Sequence, residues 1–179
     1  MVLFNILAAF GAGALAASIG AVNAFIMTGI LAIVAGVLTC LGLDAGFTAA
    51  VAFGTVLGPH MSFAAGAAAT AYAKKKGYID NGCALGQGLA FLNKADVLVI
   101  GGVFGIIAYL IADFVVAKIF GGLIPFGTDN PGMTVVISGI IARLAFTDNG
   151  VKSKNPTFLA KGEALTALLV RATALSLIS

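Results

Sequence analysis

Two stretches of this sequence combine residue types that could handle a small polar solute. The first reads Phe53-Gly54-Thr55 followed by Pro59-His60-Met61-Ser62, the second Phe126-Gly127-Thr128 followed by Pro131-Gly132-Met133-Thr134. Proline suits the first turn of a helix, where its missing N–H costs nothing. Asp129 and Asn130, just ahead of Pro131, are good N-cap residues. A helix that starts within an apolar solvent leaves free N–H groups and the positive end of its dipole facing whatever lies ahead. There the hydroxyls of Thr55, Ser62, Thr128 and Thr134 would replace part of a solute's hydration, with His60, Asp129 and Asn130 beside them. Paired breaks of this kind in corresponding positions point to a transport pathway. The blander reading, ordinary turns between short helices, carries equal weight.

Asp113 completes the candidate pathway. It lies in the strongest apolar run, 97–120, and an ionisable group inside a membrane is a functional hypothesis by default. Lys118 follows closely, so Asp113 could instead pair with it near the end of the run. His60, the one histidine, could exchange protons or donate to a solute. Its counterpart Gly132 tilts the reading toward a residue at the interface or a cap on a nearby carbonyl. Arg143 could face an aqueous vestibule or pair with Asp129 or Asp148. Asn23 and Asn93 read as caps or links between helices.

Enzyme chemistry finds no footing. There is no nucleophile–histidine–acid set and no phosphate-binding loop. A metal site would need more than one histidine and the two cysteines, Cys40 and Cys83. Both cysteines lie in or at apolar runs and read as small buried hydrophobes. The expectation is a protein that is no enzyme and uses no cofactor and no metal.

The elements that must hold these residues are apolar helices. The chain has 179 residues, 60% hydrophobic and 9% charged, with a mean hydropathy of +1.10. A soluble domain typically carries about 25% charged residues, because its surface must be wet. This composition calls for a bilayer. Runs 3–22, 25–43, 97–120 and 158–178 are long, whereas 45–57, 59–73, 83–92 and 131–146 are short of a comfortable crossing. The first run lacks a preceding positive residue and reads as a retained helix rather than a signal peptide. Lysines cluster at Lys74, Lys75 and Lys76 and again at Lys152, Lys154 and Lys161, a pattern that marks cytoplasmic loops. The net charge of +3 therefore concerns topology, and without a basic, aromatic-laced stripe no nucleic-acid partner is expected.

Similar residues recur in the same order about 70 positions apart. Asn23 matches Asn93, the Phe-Gly-Thr and Pro-x-Met segments match each other, and Asp80-Asn81-Gly82 matches Asp148-Asn149-Gly150. The expected fold is thus all-α: a polytopic transmembrane bundle in one integral membrane domain over 1–179. It would contain approximate repeats 8–82 and 83–150 in parallel orientation, short half-helices that read as re-entrant, and a C-terminal helix at 157–179. Small-residue rows such as Ala12, Ala16 and Gly20 suit close helix packing and self-association. The expected function is a channel or transporter for a small polar solute or small cation, in the plasma (inner) membrane, as a homo-oligomer. The alternative is a structural or assembly subunit with no transport of its own.

Overall fold

The computed structural model describes residues 2–43, 46–123 and 129–147. Thr128 and the rest of its Phe-Gly-Thr segment, the 148–150 turn, the second lysine cluster and the helix expected over 157–179 lie outside the described residues. Among the described residues every regular element is helical. Three helices are long and apolar enough to cross a membrane: α1 (Val2–Ile19), α2 (Ala21–Cys40) and the continuous stretch Ala95–Phe120. That stretch begins as α4 (Ala95–Leu110) and continues as a π-helix, Ile111–Phe120. The shorter pieces are a π-helical turn at Thr48–Ala52, α3 (Ser62–Lys75), the single turn α5 (Gly121–Leu123) and α6 (Asn130–Phe146).

Glycine and alanine set how closely these helices approach. α1 and α4 run antiparallel, with Gly13 opposite Gly101, Ala9 opposite Gly105 and Asn5 at Tyr109. A methyl group at Gly13 or Gly105 would collide with the carbonyl oxygen of Gly101 or Ala9, so the two backbones touch directly. Such contact supplies the dispersion that holds helices together where lipid removes any hydrophobic drive between them. α3 lies along α1 in the same direction, with Gly66 against Ala16 and Ala21. Beside it, Met61 packs into a buried cluster with Ala9, Ala12, Ala108 and Tyr109.

α6 runs parallel to α3. Their C-terminal ends meet where the Lys75 ammonium donates to the Ala145 carbonyl at 2.7 Å and the Tyr72 and Phe146 rings stack edge-on at 5.4 Å. α3 stops at Lys76 because Gly77, at φ 73°, turns the chain left-handed. The Tyr78 and Gly77 amides then return to the Ala73 and Lys74 carbonyls, satisfying the exposed end of the helix. Lys74 and Lys75 occupy that last turn, where positive charge complements the helix dipole. The starts of α1, α3 and α6 therefore gather at one end of the bundle, and the Lys74–Lys76 end lies opposite.

Several expectations need correction. Pro59 does not open α3. The 59–61 stretch forms a turn in which the Met61 and Ser62 amides both donate to the Gly58 carbonyl at 2.9 Å, and the helix starts at Ser62. Of the apolar run 83–92, only Ala90–Leu92 is helical, as a 3-10 turn. The backbone of this run spends its hydrogen bonds on the α1–α2 junction instead. Leu89 donates to the Ala17 carbonyl, and the Leu85 carbonyl accepts from Val22. Asn23 bridges the Ile19 and Gly86 carbonyls. Cys40 and Cys83 are exposed rather than buried, because one is the last residue of α2 and the other lies in this connecting loop.

Candidate functional site

A cavity of about 200 Å³ lies where the starts of α1, α3 and α6 converge. It is lined by Asn5 of α1, Gly54 and Thr55 of the connecting loop, His60 and Met61 ahead of α3, Tyr109, Ala112 and Asp113 of the α4–π helix, and Asn130 of α6. α3 is 14 residues long, or about 21 Å at 1.5 Å per residue. The cavity thus sits about that far from the Lys74–Lys76 end.

Four of the candidate pathway residues, Thr55, His60, Asp113 and Asn130, meet in this cavity. His60 is only 6% exposed, and its Nδ1 has no hydrogen-bond partner among the described residues. The ring lies against Gly58, where an added methyl would sit 2.7 Å from its Cε1 and 3.0 Å from its Nδ1. Asn130 is anchored on both sides, donating to the Ala112 carbonyl at 3.2 Å and accepting from the Thr134 hydroxyl at 3.1 Å. Asp113 is exposed at the rim, on the π-helix. Its i→i+5 turns are of a kind frequently found at functional sites. Lys118 places its ammonium over the Phe114 ring, 4.2 Å from the centroid.

The remaining candidates serve the helices. The Ser62 hydroxyl is buried and faces the Leu57 and Gly58 carbonyls at 3.2 Å, while the buried Thr134 hydroxyl is taken up by Asn130. Asp129 is exposed and caps α6, its carboxylate accepting from the Gly132 amide at 3.1 Å. Arg143 stands in the last turn of α6, at the opposite end of that helix from Asp129, and does not pair with it.

Sequence reasoning missed Asn5 and Tyr109, whose side chains approach at 3.5 Å across the α1–α4 crossing. A signal existed: Asn5 is the one polar side chain before Ser18 in the first helix.

At the far end, Asp96 accepts from the hydroxyls of Tyr72 at 3.0 Å and Tyr78 at 3.2 Å. Burial holds the Tyr78 hydroxyl above the ordinary phenol range, and the Asp96 carboxylate adds to the rise. Lys76 and Lys94 lie over the Tyr72 and Tyr78 rings. This cluster fastens α3 to α4 far from the cavity.

Residues 1–159 match one family model, which takes in both the cavity and the lysine end. The chain belongs to DUF7973. This is a family of unknown function. No curated protein and no solved structure matches the chain.

Proposed function

We propose that this chain is a multi-pass protein of the plasma (inner) membrane that passes a small polar solute or small cation, acting as a homo-oligomer. The observation that carries the reading is the open cavity at the start of α3 and α6, which brings together Thr55, His60, Tyr109, Asp113 and Asn130. In lipid, polar groups of this kind persist where protein satisfies them or water wets them. The reading includes an internal duplication. In its favour, α3 and α6 run in the same direction, each is preceded by a π-helical stretch, and both start at the cavity. Self-association is supported by the outer side of α2, where Gly29 and Gly36 have open space in front of them. That surface also suits the alternative, an assembly subunit without transport.

The test is flux. Purified protein in liposomes is challenged with glycerol and urea by stopped-flow light scattering, then with sodium and potassium by ion-selective readout. We expect one of these solutes to pass at least tenfold faster than through empty liposomes, and Thr55→Leu to remove most of the gain by filling the cavity. If none passes faster, transport of small polar solutes is refuted and the assembly role leads.

A further inference from the structure

The orphaned nitrogen of His60 tells which proton the ring carries. A buried polar atom without a partner is costly, and an unpaired N–H is the rarer kind of orphan. Nδ1 is buried beside Gly58, with neither a donor nor an acceptor within reach among the described residues. A proton there would be an unpaired N–H, whereas a bare lone pair without a donor is the more tolerable orphan. With Nδ1 buried, Nε2 is left as the nitrogen of this cavity-lining side chain that can reach the cavity.

The other lining groups point the same way. The Tyr109 oxygen accepts from the Asn5 amide at 3.5 Å, which leaves its O–H free to donate. Asn130 is already committed to Ala112 and Thr134. Among the described residues the charged groups nearby are both acidic: Asp113 at the rim, and Asp129, whose carboxylate is engaged in capping α6. The interior therefore offers donors at His60 and Tyr109, beside the Asn5 carbonyl oxygen and the Thr55 hydroxyl, which can accept, and Asp113 adds an acceptor at the rim.

We propose that His60 is held as the uncharged tautomer protonated on Nε2, and that with Tyr109 it binds a small uncharged solute through the solute's oxygen. The solute's own hydroxyl or amide hydrogens turn toward Asp113. An uncharged ring that presents N–H offers a bare cation no ligand at this position. This narrows the transport reading above to neutral, oxygen-bearing solutes and rests on that reading only for its physiological meaning.

A single histidine makes the test direct. Full-length protein labelled with 15N-histidine in nanodiscs should show one imidazole at neutral pH, with a pyridine-like Nδ1 and a pyrrole-like Nε2. Glycerol or urea should then shift the Nε2 resonance while leaving Nδ1 in place, and matched potassium chloride should not. An imidazolium, or a proton on Nδ1, overturns the tautomer assignment whatever the flux assay says. A correct tautomer that responds to potassium, or to neither glycerol nor urea, overturns the assigned ligand class. His60→Gln, which keeps an N–H donor, should retain glycerol flux within about threefold of wild type, and His60→Leu should lose at least tenfold; equal loss in both also overturns the donor role.

Discussion

Pro59-His60-Met61 just precedes α3 and Pro131-Gly132-Met133 lies in the first turn of α6; the two helices run side by side in the same direction, yet their starts are stabilised differently. α6 is capped locally: Asp129 accepts from Gly132, proline fills the early helical position, and the segment from Asn130 to Met133 is half-buried. α3 has no side-chain cap. Its lead-in is buried from Leu57 to Ser62, and the Leu57 carbonyl accepts from Thr28 of α2 at 2.7 Å as well as from Ser62. Similar letters thus encode a locally secured helix start in one place and a start imposed by tertiary packing in the other. The packed start is the one that can hold an unpaired imidazole nitrogen, because its neighbours fix the turn.

The largest expected effect comes from adding one methyl group to each start. Gly58→Ala would press against the Gly54 carbonyl at 2.5 Å and the His60 ring at 2.7 Å. It should destabilise the fold by about 3 kcal/mol, toward the upper end for overpacking. Gly132→Ala meets only the Asp129 carboxylate, an exposed side chain that can swing away. Its lost cap and its gain in helix propensity are each worth about 1 kcal/mol, so they should nearly cancel. Reversible unfolding in mixed detergent micelles would measure both, and equal losses would erase the distinction between the two starts.

A smaller contrast concerns the polar side chains. Ser62→Ala removes a buried hydroxyl from two carbonyls and should cost about 1.5 kcal/mol, near the upper range for hydrogen bonds within membranes. Asp129→Ala should cost about 1 kcal/mol, as a lost N-cap does. The two also differ in where the loss falls. Amide exchange should rise along the first turn of α6 alone after Asp129→Ala, and across α2, α3 and their connection after Ser62→Ala. Confined exchange in both would show that α3 is secured locally after all.

The sequence made the membrane-spanning character plain, because long uncharged apolar runs have few other uses. It also indicated the cap of α6, since Asp129 and Pro131 act on their immediate neighbours. The late start of α3 was hidden, because a proline two residues ahead of Met61 is compatible with both a first helical turn and a preceding bend. Tertiary contacts with α2 decide between them. The residues at 83–92 looked like a short helix by composition alone. Their backbone is drawn instead to the α1–α2 junction, a contact 63 residues away in the case of Asn23 and Gly86. Tyr109 joined the cavity for the same kind of reason: its partner Asn5 is 104 residues distant. Comparing His60 with Gly132 argued against a role for the imidazole. The two positions differ in surroundings: His60 is buried, and Gly132 is half-buried beside the Asp129 cap.

The Tyr72–Asp96–Tyr78 cluster has an optical consequence. The chain contains no tryptophan and three tyrosines, so its ultraviolet emission is phenolic. Two of those phenols donate to one carboxylate, an arrangement that drains the excited state through proton transfer and dims them. Tyr109, at the cavity, is left as the principal emitter. The untreated protein therefore carries its own lamp at the cavity, and filling that space with glycerol or urea should change its brightness without any added dye.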